Sequence, residues 1–343
     1  MITCLLCGNK PAGASIALCI DCVREFPDRT KLLKLHEPVR RRFGLPLSAP
    51  AQKGGHSCTL CLNRCTIGEG EVGYCGLRAN RGGQLIEKME QGSALVHAYL
   101  DRLPTNCCAS WFCKGSHEEG YNLAVFFYGC SFDCLYCQNS SHKLLSDAPT
   151  MTEDELVHKA LESRVRCICF FGGSPEPQLP FALRVAKRVQ EESGGKKHIC
   201  WEWNGSGNSS LVREAIESAK MSGGTVKFDL KAYNPNLYAA LCGVEKSQTY
   251  NNFALAADLC TDEEEVLTAT TLLVSHYVDK QEVQQIAASI SDLNPRIPYS
   301  LLVFHPDFYL DDLPVTPRKQ VFDCYDAARK YLVRVNIGNR QLL

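Results

Sequence analysis

The segment YGCSFDCLYCQN offers three thiols, Cys130, Cys134 and Cys137, at C-x3-C-x2-C spacing directly after an apolar stretch. A [4Fe-4S] cluster normally takes four thiolates, so three would leave one iron open to a small molecule, and an open iron is where chemistry can occur. Three buried thiols or a zinc loop is the bland alternative. The residues downstream disfavour it. Gly172 and Gly173 in GGSPEP, Glu202, Asn204 and Gly205 in WEWNG, Asp229 and Lys231 in FDLK, and the histidine of FHP each come directly after an apolar run. Glycine or a polar group at the C-terminal ends of successive strands is the pattern of the active face of a βα fold. The paired glycines remove side chains, which lets a ligand approach the backbone. A glycine pair by itself also reads as an ordinary tight loop, and Asp229 with Lys231 as a strand-end ion pair.

Cysteine is the compositional outlier: 20 in the chain, of which 14 lie in the first 137 residues. Cys58, Cys61, Cys65 and Cys75, within HSCTLCLNRCTIGEGEVGYCGLR, could complete a metal shell. Zinc takes four tetrahedral thiolates, and an auxiliary iron-sulfur cluster that relays an electron would accept them as well. Spacing does not choose between these, and unliganded structural thiols is the third reading. Further upstream, Cys4-x2-Cys7 and Cys19-x2-Cys22 form two knuckles resembling a zinc ribbon. Closed zinc there would fold a module too small for a core of its own. Cys107, Cys108 and Cys113 in TNCCASWFCKG could join Cys75 or Cys65 around a metal, or line the barrel entrance. The remaining six, Cys167, Cys169, Cys200, Cys242, Cys260 and Cys324, sit singly and read as buried small hydrophobes.

These groups must be positioned by the elements around them. Residues after Tyr121 alternate between short apolar strands and amphipathic helices. Strands are predicted at Leu123 to Gly129, Arg166 to Phe171, Lys197 to Trp203, Gly224 to Leu230, Val266 to Val274, Pro298 to Phe304 and Leu332 to Ile337. Helix starts are marked by capping-box spacing at Thr152 with Glu155 and at Asp279 with Glu282, and by Thr316 before Pro317 at a first helical position. Such alternation predicts an α/β fold with parallel strands, either an open doubly wound sheet or a full or partial (β/α) barrel. The expected division is a zinc-ribbon-like module over 1–27, a linker with solvated charges over 28–55, a Cys-rich lead-in over 56–120 and the barrel over 121–343.

Lys and Arg total 37 against 38 Asp and Glu, a formal net charge of -1, so no electrostatic excess recommends nucleic acid or an anionic membrane as the main partner. The start MITCLLCGNK lacks a secretory pattern, and no apolar run is long enough for a membrane span. A cytoplasmic protein is therefore expected. Reducing cytoplasm leaves cysteine mainly to metal ligation rather than to disulfides.

The three-cysteine loop resembles the signature of the radical S-adenosylmethionine enzymes, with Tyr136 as the aromatic before the third cysteine. In that superfamily the cofactor's amino and carboxylate groups chelate the unique iron, and an electron from the cluster cleaves it to methionine and a 5'-deoxyadenosyl radical. The resemblance implies that Gly172 and Gly173 meet the methionyl amino group, with Glu176 and Pro177 as the acidic-proline end of that motif. Glu202, Asn204 and Gly205, followed by Asp229 and Lys231, resemble the arrangement in activating enzymes for glycyl-radical proteins, whose acidic residues help hold a cation beside the cofactor carboxylate. Trp203 stands here where those enzymes usually have Thr. Downstream, TLLVSHYVDKQEV, IPYSLLVFHP and VNIGN resemble the AmmeMemoRadiSam branch, related to the pyruvate formate-lyase activating enzymes, and the likeness runs from about Ser57 to the end. Ser275 and His276 replace the Pro-Gly often found after the fifth strand. His276 and His305 read equally as polar groups of the substrate mouth and as structural histidines bonded to loop carbonyls.

The resemblance thus implies an oxygen-sensitive radical enzyme with a [4Fe-4S] cluster and S-adenosyl-L-methionine, fed by a reductant such as ferredoxin or flavodoxin. It would abstract a hydrogen atom from a glycyl-radical protein, a peptide, a small molecule or RNA. A non-catalytic iron-sulfur electron carrier, or a zinc-based assembly factor on a retained barrel, is the rival reading. That rival needs no cofactor site.

Overall fold

The structure is a computed structural model and describes residues 1–261 and 265–343. Its centre is one nine-stranded sheet, with strands numbered here along the chain: β1 Ser93–Arg102, β2 Tyr121–Phe127, β3 Thr150–Thr152, β4 Val165–Gly172, β5 His198–Trp203, β6 Val226–Asp229, β7 Leu267–Leu273, β8 Tyr299–Val303 and β9 Val335–Gly338. In space they run β9-β8-β7-β6-β5-β4-β2-β1-β3. Strand β2 and strands β4 to β9 are mutually parallel, whereas β1 is antiparallel to both β2 and β3. Successive parallel strands are spatial neighbours, the winding of a βα barrel. Among the described residues no ladder joins β9 to β3, so the barrel is partial.

The seven parallel strands fall where the apolar runs predict them. Their crossovers carry the helices α4 Glu153–Ala160, α5 Leu179–Ser193, α6 Ser209–Ser222, α7 Pro235–Cys242, α8 Ser247–Leu259, α9 Lys280–Ser291 and α10 Arg318–Arg329. The capping box at α4 forms as expected: Thr152 Oγ1 accepts from Glu155 N, and the Glu155 carboxylate accepts from Thr152 N. At α9 only half of it forms. Asp279 accepts from the Gln281 and Glu282 N–H groups, but Glu282 turns into the core, where it accepts from Tyr233 N and Asn234 N. At α10 the boundary shifts by one residue, because Thr316 Oγ1 is occupied with Leu273 O and Phe304 N, leaving Pro317 as the N-cap.

Two expectations about the N-terminal part are corrected. The stretch over 28–55 is no solvated linker: after α1 Ile20–Arg24 come α2 Arg29–Lys34 and α3 Glu37–Arg42, and both His36 and Arg40 are 1% exposed. Arg40 donates to Tyr74 O at 2.6 Å and to Pro46 O, with its guanidinium 3.5 Å from the Tyr74 ring centroid. Those bonds satisfy a buried cation that charge counting had placed in water. Nor does Gly120 mark an architectural boundary, since β1 belongs to the central sheet and pairs with β2 along seven positions from Val96 to Arg102.

The first residues form a hairpin, Ile2–Thr3 against Pro11–Ala12, followed by α1. This unit is seated on the loop after β7: Gly13 N donates to the Tyr277 hydroxyl, which donates to Leu18 O, both at 2.9 Å. Arg24 pairs with Asp279 at 2.6 Å and with the buried Glu282 at 3.0 Å. No helix among the described residues is long and apolar enough to cross a membrane.

Candidate active site

Residues 130, 134 and 137 lie on the loop that leaves the C-terminal end of β2 and face a cavity at that end of the barrel. Phe132 N and Asn204 Nδ2 both point N–H groups at Cys130 Sγ, at 3.3 and 3.4 Å, an environment suited to a sulfur carrying negative charge. Burial pushes the Cys130 thiol up, and it pushes Cys137 up to about 11, with Cys134 adding to both. Cys134 goes the other way: a hydrogen bond from the Cys242 thiol, aided by Lys231 and Lys143, outweighs its burial. The loop is braced from below by Asp133, fully buried, in contact with Lys143 and 3.7 Å from both Arg40 Nη1 and His36 Nδ1. Tyr136 is buried against the cavity with its hydroxyl 3.6 Å from Cys242 Sγ.

Across the same cavity stand Gly172 and Gly173. A Cβ on Gly172 would come within 2.4 Å of Phe127 N, and one on Gly173 within 2.4 Å of Gly129 O, while Gly172 has φ +112°. Only glycine fits both the backbone angle and the approach to β2. Glu202, Asn204, Asp229 and Lys231 line the cavity too. Glu176 does not. It is fully buried behind the cavity wall, where its carboxylate accepts from Ser206 N at 3.0 Å and from the Ser174 hydroxyl. Burial there raises its pKa to about 7 against the pull of the Ser206 donors. Its role in the structure is to set the loop after β5, not to face a ligand.

The sequence reading missed Lys227. Its Nζ sits 3.2 Å from Glu202 Oε2 and 3.2 Å from Asp229 Oδ1, and Lys231 Nζ is 2.7 Å from Asp229 Oδ2. The signal was present in VKFDLK, because the period of two along a strand puts residues 227 and 229 on the same inward face. Lys227 and Lys231 hold the Asp229 carboxyl far below the usual range despite its burial, and those carboxylates in turn hold the Lys227 ammonium protonated. Trp203, in place of a hydroxyl-bearing residue, brings an indole stacked on Trp201 at 5.5 Å. Two buried nitrogens on residues lining the cavity, Trp203 Nε1 and His142 Nδ1, have no partner among the described residues. Buried polar atoms rarely stay unpaired, but the Trp203 indole packs with Trp201 and Phe228 on the opposite face of the sheet from Glu202 and Lys227, which leaves His142 Nδ1 as the one of the two on the cavity side. His276 and His305 do not reach the cavity: His276 N donates to Gln320 Oε1, and His305 Nδ1 sits 3.2 Å from Pro306 O, its neighbouring carbonyl.

The other cysteine groups separate clearly. The ligand atoms of Cys4, Cys7, Cys19 and Cys22 all lie within 4.8 Å of one another, with Cys7 Sγ and Cys19 Sγ 3.8 Å apart. Burial acts to raise the Cys4 pKa, but N–H groups of Cys7, Cys19 and Leu6 bring it down to about 6, whereas burial raises Cys19 and Cys22. Cys58, Cys61, Cys65 and Cys75 share one neighbourhood beside the cluster loop, and burial raises Cys61, Cys65 and Cys75. This segment is clipped to the loop after β5 by Leu62 N to Ser206 O and Asn208 N to Leu60 O, and to the cluster loop by Asn63 Nδ2 to Ser131 O at 2.8 Å. Arg78, 5% exposed, supplies a positive charge next to Cys75 and Cys58. Cys107, Cys108 and Cys113 join neither Cys65 nor Cys75. Their loop, between β1 and β2, closes the opposite end of the barrel, where Cys167, Cys169 and Cys200 also point inward. Those last three are therefore not isolated.

Part of the chain is similar to known proteins. The Radical SAM superfamily profile matches residues 124–290, from β2 to α9. An uncharacterized protein of Methanocaldococcus jannaschii is 26% identical over 281 residues, covering 76% of this chain and 74% of its own. A second protein of that organism, named provisionally as a glycyl-radical enzyme activating enzyme, is 23% identical over 221 residues, 63% of this chain and 88% of its own. Among solved structures, a domain of the pyruvate-formate lyase-activating enzyme from Bacteroides vulgatus ATCC 8482 is 18% identical with a TM-score of 0.41, covering 50% of this chain and 98% of that one. A superfamily profile that implies a [4Fe-4S] cluster and S-adenosylmethionine thus begins on the strand that delivers the three cysteines and spans every residue lining the cavity except Leu302, so that residues 124–290 are similar to the radical SAM superfamily.

Proposed function

We propose that this protein cleaves S-adenosylmethionine reductively and abstracts a hydrogen atom from its substrate, with a glycine of a partner polypeptide as the substrate class. The observation that carries the first part is the facing arrangement of three cysteines and the Glu202, Lys227, Asp229 and Lys231 quartet across one cavity. The second part is supported by the name of the glycyl-radical activating relative. When bound at Cys130, Cys134 and Cys137, the cluster would supply the electron for reductive cleavage and the cofactor the 5'-deoxyadenosyl group that accepts a hydrogen atom from the substrate.

The chain's own residues bind and orient. Cys130, Cys134 and Cys137 are the cluster's thiolate ligands in this reading, and Asn204 tunes one of them through its N–H to sulfur. Backbone at Gly172 and Gly173 would receive the methionyl amino group, and Lys231 with Lys227 would hold the carboxylate. His142 Nδ1, buried without a partner among the described residues, would give the cofactor's polar atoms one further contact. His142 stays neutral, since burial and Lys143 push its pKa well down. Lys227 stands between two carboxylates as a built-in cation, which lets the quartet keep its charge balance without an added ion.

Zinc is the metal assigned to Cys4, Cys7, Cys19 and Cys22, since tetrahedral Zn–S bonds of about 2.3 Å put sulfurs about 3.8 Å apart, the separation of Cys7 and Cys19. Cys58, Cys61, Cys65 and Cys75 spread more widely than one ion requires, as do the three cysteines of the cluster loop. Ligands that bind different metal atoms stand farther apart than those on one ion, so an auxiliary iron-sulfur cluster fits the lead-in better. In domain terms, 1–27 is the zinc unit, 28–55 a strap across the cluster loop, and 56–343 the catalytic body. Incubating the anaerobically reconstituted, reduced protein with S-adenosylmethionine and deuterated candidate polypeptides tests the reading: deuterium should appear in 5'-deoxyadenosine.

A further inference from the structure

Below the cofactor cavity the barrel is lined with sulfur. Alternation along the strands turns Cys167 and Cys169 of β4 and Cys200 of β5 inward, and Cys169 is the register partner of Cys200. The loop between β1 and β2 carries Cys107, Cys108 and Cys113 into the same chamber from the N-terminal ends of the parallel strands. It is pinned across the barrel by Trp111 Nε1, which donates to Ser300 Oγ at 3.0 Å, and folded on itself by Ser116 Oγ, which donates to Cys113 O at 2.6 Å. Six thiols from two strands and one loop therefore share one space.

Barrel interiors are ordinarily filled by bulky branched residues such as Val, Ile and Leu. Here six sulfurs stand in the wall, together with Asp101, Arg102, Leu103, Asn122, His198 and Trp201. A filling role needs no such convergence. The roof is Glu202 and Lys227, which line both this chamber and the cofactor cavity above. Cys169 Sγ donates to Glu202 Oε1 at 3.5 Å, and Cys108 lies close enough to the same carboxylate and to the Lys227 ammonium to feel both charges. Burial raises the Cys107, Cys108, Cys167, Cys169 and Cys200 thiols, Cys107 and Cys167 to about 12, so their protons leave when a metal displaces them.

We propose that this chamber is a second metal centre, in which Cys107, Cys108 and Cys113 of the loop join Cys167, Cys169 and Cys200 of the strands around a soft, thiophilic metal. Thiolate-rich surroundings select zinc, copper(I) or iron-sulfur clusters over hard ions. The six do not close on one point as Cys4, Cys7, Cys19 and Cys22 do. Ligation by a subset, or by different atoms of a cluster, accommodates that spread. The centre would lie directly beneath the cofactor, separated from it by the Glu202 and Lys227 pair.

The test uses the full chain carrying Cys130→Ala, Cys134→Ala and Cys137→Ala, so that the result does not depend on cofactor cleavage. Under anaerobic conditions it is loaded in separate arms with zinc, with copper(I), or with ferrous iron and sulfide, then desalted and analysed for metal. Adding Cys107→Ser, Cys108→Ser and Cys113→Ser should remove at least one metal equivalent per chain in one arm, and in that arm alkylation of Cys167, Cys169 and Cys200 should rise. Loss of iron with sulfide identifies a cluster, and loss of zinc or copper a single ion. Cys200→Ser alone, which leaves the loop intact, should give the same loss. Equal metal in all three arms for both sets of variants, with chamber cysteines alkylated alike with and without metal, overturns the proposal.

Discussion

Arg40 Nη1 stands 3.7 Å from Asp133 Oδ1, with both side chains sealed from solvent. Asp133 lies between the first and second cysteines of the cluster loop, so a helix from the first fifty residues braces that loop from behind. His36 adds to the brace, with Nδ1 2.7 Å from Asp133 O and Nε2 3.0 Å from Ala239 O.

The brace divides the N-terminal region functionally. Deleting residues 1–27 should leave iron content and 5'-deoxyadenosine formation largely intact, whereas deleting 1–50 should abolish both. Arg40→Ala, which leaves Asp133 to Lys143 and strips Tyr74 O and Pro46 O of their donor, should cost about 1–3 kcal/mol per unpaired acceptor in urea denaturation. Equal behaviour of the two deletions would contradict the assignment of Arg40 and His36 to the cluster loop.

Zinc should follow the N-terminal cysteines alone. Cys4→Ser or Cys19→Ser should lower zinc by one equivalent per chain while iron per chain stays constant, as read by elemental analysis. Loss of iron in step with zinc would place these knuckles in the redox apparatus.

Asp229→Asn should weaken S-adenosylmethionine binding by about tenfold or more, near 1.4 kcal/mol per decade, with iron content unchanged. The carboxylate lies on β6, across the cavity from the cysteine loop, and its loss leaves Lys227 with Glu202 and takes from Lys231 the carboxylate it pairs with. Lys227→Met should be more damaging than Lys227→Arg, since the latter keeps a cation between the two carboxylates. Equilibrium dialysis against labelled cofactor separates binding from cleavage.

Glu176 gives a pH signature. Its folded pKa of about 7 lies above the ordinary carboxyl value of 4.5. Between those values the folded chain binds the proton more tightly than the unfolded chain, so this residue's contribution to stability falls as pH rises from about 4.5 to 7 and is flat above. Glu176→Gln should flatten that part of the stability profile measured by urea denaturation at a series of pH values. An unchanged slope would mean that Glu176 is ionised in the folded protein.

Much of the barrel was legible because strand periodicity and cysteine spacing are local. Residues 123–129 and the six later apolar runs declare themselves in a few residues each, and so does the Cys130, Cys134, Cys137 triplet. What escaped depends on partners distant in the chain. Arg40 looked solvated because its acceptors, Pro46 O and Tyr74 O, and its neighbour Asp133 are supplied by folding. Cys169 and Cys200 looked solitary because their pairing is a matter of register between strands. Strand β1 was hidden by three consecutive buried residues, Ala94 to Val96, and by a mixed pattern after them, with no clean alternation. Glu176 went astray for a different reason: a motif resemblance assigned it a ligand, while Ser206 N and the Ser174 hydroxyl had already claimed its oxygens.

The most direct measurement of the central claim is 5'-deoxyadenosine produced by the reconstituted, reduced protein with S-adenosylmethionine, compared with Cys130→Ala, Cys134→Ala and Cys137→Ala. The intact chain should form it, and each variant should lose it together with the iron of the site-differentiated cluster. Formation at unchanged yield in all three variants, or none in an intact chain whose cluster is fully loaded, would contradict the account.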